Sequence, residues 1–75
     1  MRFSTWLWEQ LEEAGDLGYF ANIAWKDVNN GCAHGTFDVN KWFKHIKTHH
    51  PERKEVLIPL LISAYYRYRL YLESN

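Results

Sequence analysis

Val56-Leu57-Ile58-Pro59-Leu60-Leu61-Ile62-Ser63-Ala64 is the longest apolar run of the chain, and Tyr65 to Leu72 extends it with four tyrosines and two arginines. Nine residues with a proline among them fall far short of the ~20 that cross a bilayer, so the run belongs to a protein core. Beyond Pro59 the apolar spacing is helical: Leu61, Ala64, Tyr65, Tyr68 and Leu72 fall on one stripe. Two starts compete. Pro51 can open one helix kinked at Pro59, or a short turn covers about residues 52–57 and Pro59 opens the final helix. An interior proline costs about 3 kcal/mol, while one at a helix start costs little. The second reading is therefore adopted, with a last helix over 59–73.

The pattern continues upstream. Thr36 or Asp38 opens a helix to about Thr48, with Val39, Trp42, Phe43 and Ile46 inward and Lys41, Lys44 and Lys47 toward water. His49-His50-Pro51 stops it, because the residue before proline disfavours the helical region. Asp16 is a natural N-cap for a helix to about Val28 that buries Leu17, Phe20, Ala21, Ala24 and Val28. Gly18 in its first turn costs helix propensity and so marks the close approach of a neighbour. Asn29-Asn30-Gly31 breaks the chain, and a loop runs on through Cys32-Ala33-His34-Gly35. Ser4 or Thr5 caps a first helix to about Glu13, striped by Phe3, Leu7, Leu11 and Ala14 and closed by Gly15. No stretch alternates as a strand does. The expectation is all-α: a compact four- to five-helix bundle forming a single domain over residues 1–75.

Composition agrees. The chain has 75 residues, 47% of them hydrophobic, and thirteen aromatic side chains, each able to bury ~150–250 Å². One cysteine excludes an internal disulfide framework. Nine basic and nine acidic side chains give no net charge, unlike the strongly basic balance usual in nucleic-acid modules. Trp6-Leu7-Trp8 runs straight into Glu9, Glu12 and Glu13, unlike a secretory leader. A soluble, cytoplasmic protein with no membrane contact is the expectation.

Three segments resemble the YozE-like small bacterial proteins, whose fold is similar to the sterile alpha motif (SAM). Phe3-Ser4-Thr5-Trp6-Leu7-Trp8-Glu9-Gln10 is similar to that family's aromatic-x-x-Trp-Leu-x-x-Gln opening. Gly18-Tyr19-Phe20-Ala21, followed by Asp27, resembles its Gly-x-x-Ala segment and the Asp that closes its second helix. Trp42-x-x-His45-Ile46 and Ala64-Tyr65-Tyr66-Arg67-Tyr68 resemble its third helix and its terminal Ala-Trp-x-x-Tyr stripe, with Tyr65 in place of the usual tryptophan. The loop Val28-Asn29-Asn30-Gly31-Cys32 also lacks the proline usual after that aspartate. The resemblance covers nearly the whole chain, implies a five-helix bundle and carries no catalytic residues.

The residues that could carry chemistry are few. Cys32 and His34 share a loop, and His45 and His49 are four apart on one helix face, a set that could supply four zinc ligands with His50 to spare. Structural zinc sites ordinarily use paired cysteines, and histidines also suit a helix C-terminus, so no metal and no cofactor is assigned. Cys32 with His34 lacks an orienting third group, and Glu9, Glu12, Glu13 and Asp16 read as a solvated face. An enzyme is not expected.

Charge is unevenly spread. Residues 1–31 are net acidic, whereas Lys41, Lys44, Lys47, Arg53 and Lys54 make residues 36–54 net basic. Trp8, Tyr19, Trp25, Tyr66 and Tyr71 fit the inward stripes poorly, and Tyr66, Arg67, Arg69 and Leu70 form an outward patch. The functional expectation is a non-enzymatic binding module for a protein partner (adaptor, inhibitor or weak self-association) through Trp8, Tyr19, Tyr66, Arg67 and Arg69. The alternative is nucleic-acid binding through Lys41, Lys44, Lys47, Arg53 and Lys54.

Overall fold

A computed structural model describes residues 1–74, with four helices: α1 (Phe3–Trp8), α2 (Asp16–Asn29), α3 (Val39–His49) and α4 (Lys54–Ser74). No strand occurs among the described residues, and the helices pack as one all-α globule. The long α4 is the spine. It packs against each of the other three, burying Leu57, Leu61, Ala64 and Tyr68.

α4 corrects the expected start. The helix begins at Lys54, runs without interruption through Pro59, and recruits Leu57, which a turn over 52–57 would have left out. Pro59 is exposed, so the Glu55 carbonyl that loses its i+4 donor lies on the wet side of the helix. On the dry side Leu57 and Leu61 are both fully buried. Two leucines sealed into the core outweigh one missing solvent-side hydrogen bond. At the other end Leu72, expected inside, is exposed.

α3 keeps its expected limits: Asp38 caps it, its side chain accepting a 2.8 Å hydrogen bond from the Lys41 amide. Trp42 and Ile46 are buried and Val39 partly so, but Phe43 is exposed beneath the Lys47 ammonium, 5.0 Å from the ring centre. α2 buries Leu17, Phe20, Ala21 and Ala24 as expected, with Val28 packed at the edge.

α1 is shorter than expected, and neither Ser4 nor Thr5 caps it: the N-cap is Arg2, with no side-chain bond. Ser4 instead lies fully buried, accepting from the Trp42 indole N–H at 2.8 Å and donating to the Phe37 carbonyl at 2.6 Å. After Trp8 the chain tightens into i→i−3 bonds, Glu9 to Trp6 and Gln10 to Leu7, and Leu11 is only half-buried while Ala14 is exposed. Gly15, at φ 81°, serves as the N-cap of α2 rather than as the close of α1.

Gly18 explains the shortening. A Cβ built there would stand 1.8 Å from the Glu13 carbonyl oxygen, so the segment after α1 passes directly against the first turn of α2. Asn22 secures this crossing, its Nδ2 donating at 2.8 Å to the carbonyls of both Leu11 and Gly18. Gly18→Ala should cost about 1–3 kcal/mol through overpacking despite the better helix propensity of alanine. For a domain of this size that lowers Tm by roughly 5–20 °C. Thermal unfolding by circular dichroism checks it, and a Tm at or above wild type would show that residues 9–15 yield freely.

Candidate functional site

Two features stand apart from ordinary packing. The first is a cluster of side chains at the carbonyl ends of α2 and α3. Asp27 lies in the last turn of α2, His45 in the last turns of α3, and His50 is the C-cap residue of α3, leaving the helix at φ −130°, ψ 51°. Oδ2 of Asp27 accepts from His45 Nε2 at 2.8 Å and from His50 Nε2 at 2.6 Å. An ionised carboxylate can only accept, so each ring presents its Nε2–H. The His45 side chain is 4% exposed, against 15% for Asp27 and 20% for His50, so the cluster is sheltered but reachable from one side.

Burial pushes the Asp27 carboxyl up, but the hydrogen bonds from His50 and His45 and the positive charge those rings can carry outweigh it. The group is held below its ordinary value of 3.8. His49 stacks on His45 with ring centres 4.6 Å apart.

The four residues weighed as a zinc set and not assigned, Cys32, His34, His45 and His49, are not brought together. Cys32 is exposed, and His34 is exposed against the Phe37 ring. Cys32, His45 and His49 line a shallow recess with Lys41 and Lys44, but His34 does not. Among the described residues, the only three metal-ligating side chains whose donor atoms lie within 4.8 Å of one another are Asp27, His45 and His50. His50, treated as a spare, is thus central, and Asp27 was missed as a ligand. One signal for it existed: an acid in the last turn of a helix opposes the helix dipole and calls for a cationic or proton-donating partner.

The second feature is the outer side of α4. Ile62, Tyr66 and Leu70, four residues apart, are 59%, 64% and 44% exposed. By helix geometry they point roughly half a turn away from the buried Leu57, Leu61, Ala64 and Tyr68. With Tyr65, Arg69 and Glu73 they line a recess, and the Arg69 guanidinium sits 6.0 Å from the Tyr65 ring centre. Arg67 is exposed on the same helix.

The other expected contact residues are dispersed. Trp8 is half-buried and committed to packing: its indole N–H donates to the Gly35 carbonyl at 3.1 Å, and its ring stands edge-on to Trp25 and Trp42. Tyr19 is exposed, but its hydroxyl accepts from Arg53, so the structure joins one residue from each of the two expected surfaces. Lys41, Lys44 and Lys47 do face water along α3. Lys47 and Lys54 flank a recess floored by Phe43, Ile58 and Pro59. No helix among the described residues is long and apolar enough to cross a membrane. No family model, curated protein or solved structure matches the chain.

The Asp27 geometry sets a pH dependence. A native carboxyl held below its unfolded value contributes stability that is fully present above about pH 4–5 and lost as pH falls through the lower native value. Urea unfolding across that acid range should show wild-type stability falling more steeply than that of Asp27→Asn, which starts lower at neutral pH. Parallel curves would remove Asp27 as a contributor.

Proposed function

We propose that the chain is a non-enzymatic, cytoplasmic helical module that binds another protein through the outer face of α4. The observation that carries the reading is the Ile62–Tyr66–Leu70 stripe, an apolar ridge opposite the buried one on the same helix. A helix that only covers a core needs one apolar face. Here a second face is built from Tyr, Leu and Ile beside Arg67 and Arg69, and Tyr and Arg are prominent among residues that anchor interfaces. The resemblance to YozE-like proteins fits a compact helical module of SAM-like arrangement and bears on the fold alone.

The three ridge residues are exposed, so replacing them with serine should change stability by only about 0.5 kcal/mol each. Ile62→Ser/Tyr66→Ser/Leu70→Ser should therefore stay folded and unfold cooperatively, with Tm lowered by no more than about 6–12 °C. It should lose the protein that crosslinking in host cells recovers with the wild-type chain, or the concentration-dependent association expected of the wild type in sedimentation. Equal recovery by both chains, together with concentration-independent monomers, overturns the proposal.

A second reading rests on a different observation: Lys41, Lys44 and Lys47 are exposed along α3, and the exposed Phe43 ring lies in the recess between Lys47 and Lys54. Such a row suits a phosphate backbone. It predicts a mobility shift of single- or double-stranded probes at ~50 mM salt that weakens by roughly one power of salt per phosphate contacted. Lys44→Glu/Lys47→Glu should abolish the shift. No shift with wild type removes this reading and leaves the α4 proposal standing.

A further inference from the structure

We propose that Asp27, His45 and His50 form a binding site for a divalent transition-metal ion of the zinc class, clasped between the ends of α2 and α3. Two imidazoles and one carboxylate are a donor set suited to such ions, and three protein ligands leave a further position for water. The donor atoms already converge, all within 4.8 Å of one another, with both Nε2 atoms directed at one carboxylate oxygen. An ion about 2.0–2.1 Å from each donor in tetrahedral geometry requires the present 2.8 and 2.6 Å contacts to open by roughly 0.5–0.8 Å. His50, outside the helix and one-fifth exposed, has that freedom.

The surroundings favour a cation. Asp27 sits near the carbonyl end of α2 and His50 caps that of α3, so two helix ends of partial negative charge lie beside an ionised carboxylate. The two histidines offset this with hydrogen bonds, whereas an ion would neutralise it directly. On binding, each ring ligates through Nε2 and carries its proton on Nδ1, the neutral tautomer that metal-bound imidazole adopts. The ion would brace α2 against α3, helices that each pack closely on α4.

The test is titration of the chelator-stripped wild-type chain with zinc chloride by calorimetry, beside His50→Ala, Asp27→Asn and the control Cys32→Ser/His34→Ala/His49→Ala. The wild type should take up one ion per chain and gain Tm. His50→Ala and Asp27→Asn should bind about tenfold or more weakly, and the control should match wild type. Because either site variant could unfold, nitrogen-detected NMR of the wild-type imidazoles supplies an independent readout: zinc should shift the His45 and His50 Nε2 resonances and move their protons to Nδ1. Absence of saturable uptake by wild type overturns the proposal, as does affinity that follows Cys32, His34 and His49 or a shift confined to the His34 and His49 rings.

Discussion

A single buried hydroxyl holds the two halves of the chain in register. The indole of Trp42 is almost wholly enclosed, and its N–H has one donor bond to place. Ser4 accepts that bond and donates its own O–H to the Phe37 carbonyl, so α1, the loop before α3 and α3 itself close around one oxygen. A buried donor left unpaired costs about 1–3 kcal/mol, a large share of the marginal stability of a small domain. The same constraint recurs at two further rings. The Tyr68 hydroxyl donates to the Met1 carbonyl, and the Trp8 indole to Gly35. Among the described residues no buried side-chain nitrogen or oxygen lacks a partner. A ring-rich core is thus compatible with a short chain because the polar edges of Trp42, Tyr68 and Trp8 each meet a hydroxyl or a backbone carbonyl.

Where local signals were sufficient, the sequence was a good guide. Asp38 and the Asn29-Asn30-Gly31 break bounded α3 and α2 to within a residue or so, because caps and turn residues act over a few bonds. Reading failed where burial overrode local preference. Pro59 marked a helix start by propensity, yet the helix extends past it toward the N-terminus because Leu57 must be buried and the vacant carbonyl faces water. Ser4 looked like a cap and became a core hydroxyl, a role set by a residue 38 positions away. Phe43 and Leu72 lay on the inward stripe, but each stands at an end or edge where no neighbouring element covers it.

The Asp27 cluster was hidden for a related reason. Its partners lie 18 and 23 residues downstream, and His45 and His50 are five apart, a spacing that puts no two residues on one helical face. They converge only because the backbone abandons the helix at His50. Periodicity favoured His45 with His49 instead, and those rings do stack, but His49 is the exposed member and lies on the recess that Cys32 also lines. Charge asymmetry was the legible part: a net-acidic first stretch and a net-basic second one meet at this carboxylate and these imidazoles.

The two faces of α4 follow from opposite demands on one helix. Its buried stripe is filled by Leu57, Leu61, Ala64 and Tyr68, so folding gains nothing further from Ile62, Tyr66 and Leu70. Covering apolar surface is worth about 25 cal/mol per Å², and a ridge left in water holds that free energy in reserve for association. Arg67, Arg69 and Glu73 border the ridge, and charges in that position keep an exposed apolar helix from indiscriminate aggregation while giving a specific partner something to pair with. The ridge shares no residue with the Asp27 cluster, and the cluster's three side chains come from α2, α3 and the C-cap of α3 rather than from α4. Recognition on one helix and bracing between two others can therefore be altered separately, so each can be judged without disabling the other.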